Sequence, residues 1–278
     1  MDSRIAIGPY TIEAVQDSVS RGDPTRMYPG TDSADWARHP GTLDEDGSLR
    51  FGIGSYLVRD GTRTMLVDLG VGPSGWHAPS GAVIAPGHLL DGLRRAGVAP
   101  ADVTDVLLSH VHRDHVGWAS IEGRPVFEGA TYRCHRADWE HFVVGRTGDP
   151  TVWPLLEAVA DRLEPWDGDT TLFPGLDLIG APGHTPGSTI LSFSEPSGAR
   201  AILLGDVVHC PVELVDDEWA TIADVDPELA MRTKQRLASV LAGAAADGEV
   251  HVSAAHFPEL RFGRLVLDED RTRHWGYG

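Results

Sequence analysis

The chain has 278 residues, 41% of them hydrophobic and 23% charged, which suits one large globular domain with a substantial core. Its 23 Lys and Arg against 41 Asp and Glu leave a net charge of -18, so phosphate backbones are repelled and no nucleic-acid partner is expected. No apolar run could span a bilayer, Met1-Asp2-Ser3-Arg4-Ile5 leads into Gly8-Pro9-Tyr10 rather than a signal-peptide core, and two well-separated cysteines, Cys134 and Cys210, suit a reduced cytoplasmic chain.

In chain order, the N-terminal 49 residues, with Trp36 and His39, precede the first predicted strand and are expected to fold over a pocket or to make a homodimer contact. Residues 51 to 58 and 62 to 68 predict a hairpin, because Asp60-Gly61 lies between two apolar runs. Residues 71 to 85 are rich in Gly and Pro and read as a loop in a pocket wall, where Trp76 is the aromatic expected to face a ligand. Trp118, Trp153 and Trp166 are divided between lining a cleft and packing in the core, with core the more common fate. Pro86 to Gly97 predicts a helix with Leu89, Leu90 and Leu93 on one face. A strand at 104 to 109 follows, then helices at 136 to 144 and 151 to 164, and strands at 171 to 181, 188 to 194 and 200 to 205. Asp226-Pro227-Glu228 opens a long helix, with an N-cap aspartate, proline at the first helical position and a stripe through Leu229, Met231, Leu237 and Val240. A strand at 249 to 254 ends the series, and the absence of a linker or repeat predicts one domain over residues 1 to 278.

The stretch after the 104 to 109 strand, Ser109-His110-Val111-His112-Arg113-Asp114-His115-Val116-Gly117, packs three imidazoles and a carboxylate into six residues. Imidazole and carboxylate are ligands for zinc and its neighbours in catalytic sites, and this density is hard to explain as core or surface. Strand alternation would point His110 and His112 the same way, and the turn beyond would bring Asp114 and His115 to the same space.

The pattern His-x-His-x-Asp-His resembles the signature of the metallo-β-lactamase superfamily, and three further segments resemble its remaining ligand loops. These are Gly183-His184-Thr185-Pro186-Gly187-Ser188, Leu204-Gly205-Asp206 and Ala255-His256-Phe257-Pro258. The resemblance covers roughly residues 50 to 267 and is nearest to the methyl parathion hydrolase-like group and the quorum-quenching lactonases. It implies a four-layer αββα sandwich with two divalent metal ions, zinc in the first instance and manganese, iron or cobalt as substitutes. His110, His112 and His184 would hold one ion, Asp114, His115 and His256 the other, and Asp206 would bridge.

The implied activity is hydrolysis of a small ester, lactone or organophosphate-type substrate by a metal-bridging hydroxide, with Asp114 or a water passing a proton to the leaving group. Asp68, at the end of Thr64-Met65-Leu66-Val67-Asp68, would accept a hydrogen bond from a ligand imidazole. His209 falls three residues after Asp206, where N-acyl homoserine lactonases typically offer a tyrosine to the substrate, and it is assigned here to substrate contact or to loop packing. The alternative class is an iron persulfide-dioxygenase-like oxidoreductase with a single metal, which has no need of the second ligand set. Authentic metallo-β-lactamases use a cysteine where this chain has Asp206, and the glutathione-binding helices of glyoxalase II have no room after His256.

Overall fold

The computed structural model describes residues 4–78, 81–247 and 249–277. Two β-sheets carry the architecture. The first has the strand order β1 (Arg4–Ile7), β2 (Tyr10–Gly22), β3 (Leu49–Arg59), β4 (Thr64–Val67), β5 (Asp105–Leu107), β6 (Thr131–Arg133). The second has the order β7 (Thr170–Phe173), β8 (Leu176–Gly180), β9 (Thr189–Ser194), β10 (Arg200–Leu203), β11 (Val250–Ser253), β12 (Gly263–Leu267), β13 (Arg273–Tyr277). Pairing is antiparallel except where β5 lies parallel to β4 and β6, and where β10 lies parallel to β11. Such parallel steps need crossovers, and the crossovers supply the helices on the outer faces.

Alternation along the strands sets the layers. Tyr56, Val58, Met65, Val67 and Leu107 face Leu178, Leu191, Phe193 and Leu203 across the space between the sheets. Their neighbours Leu57, Leu66 and Val106 point the other way, under Leu89 and Leu93 of the helix Leu89–Arg95 and under Phe142, Val152 and Leu156. On the far side, Ile190, Ile202 and Val252 pack beneath Leu237, Ala238 and Leu241 of the helix Pro227–Asp247. Strands buried on both faces read as continuous apolar runs, which is why they were legible. The result is the expected αββα sandwich. Among the described residues no helix is long and apolar enough to cross a membrane.

Several boundaries differ from expectation. The predicted strand 171 to 181 is two strands, because Pro174-Gly175 turns the chain and Gly175 has φ +79. The 136 to 144 helix widens after Asp138 into a π-helical stretch, Trp139–Val144, and the 151 to 164 helix stops at Glu157 before a short turn at Ala160–Arg162. In the long helix Asp226 caps Leu229 N as expected, yet Val240 is exposed, and the buried face runs instead through Ala230, Thr233, Lys234, Leu237 and Leu241.

The largest difference is N-terminal. Residues 4 to 22 do not precede the first strand; they are β1 and β2, with β2 paired along β3 from Thr11↔Arg59 to Gly22↔Leu49. At the bulge between Gln16 and Ser18, the buried Asp17 accepts hydrogen bonds from Val71 N, Leu89 N and Trp118 Nε1 at 2.7, 2.7 and 2.9 Å. One carboxylate thereby anchors the loop after β4, the start of the next helix and the segment after the histidine motif. Trp118 is thus held in the core rather than in a cleft, and Trp166 is likewise buried between the sheets. Trp36 is buried too, edge-on to Tyr28 and Trp219. Cys134 and Cys210 are buried free thiols.

Candidate metal centre and cleft

The loops that carry the candidate ligands each follow the end of a strand. β5 ends at Leu107, so His110 and His112 belong to the turn before the short helix Arg113–Val116. It is this turn, rather than strand alternation, that makes them neighbours. Asp138 holds the turn to the His184 loop: its buried carboxylate accepts from Val111 N at 2.9 Å, from Thr185 Oγ1 at 2.9 Å and from Gly187 N at 2.6 Å. Burial pushes this carboxyl up to about 6 against those donors, so it is mainly ionised at neutral pH. Gly183 has φ +138, and a Cβ there would lie 2.3 Å from Ala230 N, so the His184 loop can pass the long helix only with glycine. Asp206 follows β10 and His256 follows β11.

The side chains converge in two groups. Ligand atoms of His110, His112, His184 and Asp206 lie within 4.8 Å of one another, and so do those of Asp114, His115 and His256. His112 Nδ1 is 3.2 Å from His110 Nε2 and 3.0 Å from His184 Nε2. Asp206 stands between the groups: Oδ1 faces His115 Nε2 at 3.3 Å, while Oδ2 faces His256, His184 and His110 Nε2 at 3.0, 3.5 and 3.7 Å. Asp114 approaches His256 at 3.5 Å.

The outer ring atoms are tied down. His115 Nδ1 is 3.0 Å from Asp68 Oδ2, the partner expected of Asp68, which also accepts from Ser109 N and Oγ at 2.8 Å each. His256 Nδ1 donates to Gly52 O at 2.8 Å, and His184 Nδ1 lies 3.1 Å from Asp224 Oδ1. Asp224 escaped the sequence reading because it sits in no motif; a carboxylate just before the Asp226 cap carries no local sign of its partner 40 residues away. Removing such an orienting carboxylate typically weakens metal affinity about 10- to 100-fold. Asp224→Ala should therefore lose metal to a competing chelator at correspondingly lower chelator concentration, and an unchanged competition curve would remove Asp224 from this role.

The electrostatics suit cations. Burial, with His184 next, lowers His112 to about 3, and burial with His115 pushes His110 well down, so both are neutral and offer lone pairs. Against the lowering effect of burial, Asp206 raises His256 to about 9, and Asp206 with Asp68 raises His115. Against burial in turn, His115 and His256 hold the Asp206 carboxyl well below its usual range. The pocket thus demands positive charge beside Asp206, and bound cations would replace those protons. His115 Nε2 and Asp206 Oδ1 are buried and find no hydrogen-bond partner among the described residues. Ring nitrogens converging about 3 Å apart, beside buried polar atoms without partners, fit metal ions.

Above the groups opens a cleft of about 1090 Å³. Met27, Phe51, Ile53, Trp76, Ile84 and Ile222 give it an apolar wall, and the stretch Ser20 to Arg26 helps form its rim. Trp76 is on this wall as expected, with Nε1 donating to Asp149 Oδ2 at 2.7 Å. His209 also lines the cleft; its Nε2 is 3.4 Å from Asp206 Oδ2, and its ring stacks on His256 at 5.6 Å between centroids and an angle of 10°. Glu213 accepts from His209 N and Cys210 N at 2.8 and 3.0 Å and so fixes the His209 backbone. Trp153 lies apart, half-buried under the Arg146 guanidinium.

A model of the metallo-beta-lactamase superfamily matches residues 50–245. The chain is 28% identical over 214 residues to an N-acyl homoserine lactonase of Bacillus cereus, covering 72% of this chain and 80% of that protein. It is 28% identical over 233 residues to metallo-beta-lactamase domain-containing protein 1 of Xenopus laevis, covering 82% of each. Two solved structures share the fold: AidC, a dizinc quorum-quenching lactonase, with TM-score 0.84 and 21% identity, and the hydrolase AbOPH, with TM-score 0.79 and 23% identity; both alignments cover 99% of this chain and 96% of the other. With the αββα sandwich, the two converging ligand groups and a family match over most of its length, the chain belongs to the metallo-β-lactamase superfamily and is a metal-dependent hydrolase.

Proposed function

We propose that this hydrolase cleaves a neutral lactone or related ester, with a phosphotriester as a further substrate of the same site, and that it uses two metal ions held by His110, His112 and His184 on one side and Asp114, His115 and His256 on the other. The observation that carries this reading is Asp206, which lies between the groups, with Oδ1 3.3 Å from His115 Nε2 and Oδ2 3.0, 3.5 and 3.7 Å from His256, His184 and His110 Nε2. When bound, two divalent ions, zinc first among them, would supply hydroxide near neutral pH and polarise the substrate oxygen. The chain's own residues do the rest. The apolar wall around Phe51, Ile53 and Trp76 receives the organic part of the substrate and excludes water. Asp114, on the cleft wall, passes a proton to the leaving oxygen. The sequence relatives named as lactonases support a lactone as the first substrate to try. An oxygen-dependent iron chemistry would need one ligand group, and the convergence of Asp114, His115 and His256 favours two. Turnover of an acyl homoserine lactone, an aryl ester and a phosphotriester, with oxygen uptake measured in parallel for a persulfide, tests the proposal. Oxygen uptake without ester or lactone cleavage would overturn it.

His209 is the proposed substrate contact. Both of its ring nitrogens lack hydrogen-bond partners among the described residues, and the ring borders the cleft beside Asp206. A contact of this kind alters discrimination between substrates more than it alters the metal centre. His209→Ala is expected to keep its metal content and to change the ratio of kcat/KM for a lactone against an aryl ester by about tenfold, the loss of one hydrogen bond. An unchanged ratio at full metal content would take His209 out of the substrate's reach.

A further inference from the structure

Two walls of the cleft are tied to each other by one side-chain pair. Trp76 lies in the short strand Trp76–His77, opposite Ile84 of Val83–Ile84, and packs on the buried cluster of Ile53, Val71 and Ile84. Its indole Nε1 donates at 2.7 Å to Oδ2 of Asp149, 73 residues along the chain, and both residues line the cleft. The receiving side is fixed locally. Asp149 Oδ1 accepts from Thr151 N and Oγ1 at 2.8 and 2.7 Å. A Cβ on the preceding Gly148, at φ +68, would come 3.2 Å from the Phe142 ring, so this turn sits directly on that ring, which in turn meets the ring of the candidate ligand His112 edge-on at 5.3 Å. Against burial, the Thr151 donors, with Trp76 and Arg113, hold the Asp149 carboxyl below its ordinary value, so it is ionised at neutral pH and the tie is a charge-assisted hydrogen bond. Water in an open cleft would satisfy an indole N–H as well. What the carboxylate adds is position: a half-buried indole has several staggered orientations open to it, and the tie selects one.

We infer that Asp149 is a positioning residue for substrate selection: it fixes the Trp76 indole across the cleft and thereby limits the bulk that a substrate carries beside the bond that is cut. Compact acyl groups are then favoured over branched ones. Without the tie the indole swings, the wall yields and the branched group is admitted. The inference rests on the reading of the cleft as the substrate site of an ester or lactone hydrolase.

Equilibrium binding to the metal-loaded protein tests it without turnover. The probes are phenylacetate and diphenylacetate, the carboxylates that hydrolysis of a compact and a branched ester would release. Asp149→Ser keeps an oxygen that accepts from Thr151 N and is too short to reach Trp76, while Trp76→Phe keeps an apolar ring and loses the N–H. Asp149→Ser is expected to shift the ratio of the two Kd values by about tenfold towards diphenylacetate, the low end of what an apolar pocket discriminates for a small change in bulk. Made in the Trp76→Phe background, the same substitution should shift the ratio no further, because the tie is already gone. Metal content and Tm are measured alongside, since a purely structural role would weaken both probes alike. The indole proton–nitrogen resonance of Trp76, identified by its loss in Trp76→Phe, should move in Asp149→Ser and exchange faster with solvent. An unmoved resonance, an unchanged ratio, an equal shift in both backgrounds, or no binding of either probe by wild type would overturn the inference. Aryl-ester turnover by wild type tests the hydrolase reading separately.

Discussion

Asp206→Ala is expected to reduce the metal content from near two ions per chain to one or fewer and to lower kcat/KM by more than the roughly 10- to 100-fold expected for Asp68→Ala. The difference follows from position. Asp68 touches His115 on its outer nitrogen and leaves every inward-facing atom in place. Asp206 is 3.3 Å from His115 on one oxygen and 3.0 Å from His256 on the other, with His184 and His110 a little farther out, so its loss removes shared negative charge from both groups. The imidazoles would then crowd together with Asp114 as the nearest compensating carboxylate, and divalent cations would be held by neutral nitrogens at one group. Elemental analysis of the purified protein and initial rates on the same preparation decide the matter. Full activity in Asp206→Ala, or a wild-type stoichiometry near one that added zinc, manganese or cobalt does not raise, would end the two-ion assignment.

Lys234→Met is expected to destabilise the fold by about 3–5 kcal/mol, the usual consequence of leaving a buried charge without its partner. Lys234 projects from the long helix and donates to Glu213 Oε2 at 2.7 Å and to Trp219 O at 3.0 Å. Glu213 Oε1 takes Tyr28 OH at 2.7 Å as well as the His209 and Cys210 amides, and all three side chains of this network are buried. The methionine would fill the space and leave the carboxylate with neutral donors only. At roughly 2–4 °C per kcal/mol for a chain of this size, Tm falls by roughly 6–20 °C.

The pH dependence has a definite sign. Against burial, Lys234 holds the Glu213 carboxyl below its unfolded value of 4.5, so in wild type this contribution is present above that pH and lost as pH falls through the lower folded value. Without Lys234, burial is opposed only by His209 and by the remaining donors, so the carboxyl rises from its wild-type value and protonation relieves the variant as pH falls. The gap between the two proteins should be widest near neutral pH and narrower at about pH 4. Thermal melts at both values measure it, and superimposable melts at neutral pH would show that the pair contributes nothing. Because Glu213 also positions the His209 backbone, the variant should disturb discrimination between substrates along with stability.

The metal-site candidates were legible because their chemistry is local in sequence. His110, His112, Asp114 and His115 occupy one turn, and His184, Asp206 and His256 each sit in a short motif at the end of a strand. The strands themselves were legible through apolar runs such as Met65 to Val67, which bury both faces. Less was visible where polar residues make strands. β2 mixes Glu13, Gln16, Asp17 and Ser18 into its pattern, so pairing with β3 rather than composition determines that it is a strand.

The residues that hold the site together were invisible for a related reason. Asp17, Asp138, Asp224 and the Glu213–Lys234 pair are ordinary residue types in ordinary local settings, and each acquires its role from a partner that the chain delivers from a distance: Trp118 for Asp17, Gly187 for Asp138, His184 for Asp224 and Lys234 for Glu213. Trp76 was in plain view as a cleft aromatic, yet its tie to Asp149 exists only once the chain brings the two together across 73 residues. Sequence by itself determined the kind of chemistry, since side-chain type and short-range spacing decide what can bind a metal. The tertiary structure decided orientation, charge compensation and which donors are left for a substrate, because those depend on distances between segments that no local pattern encodes.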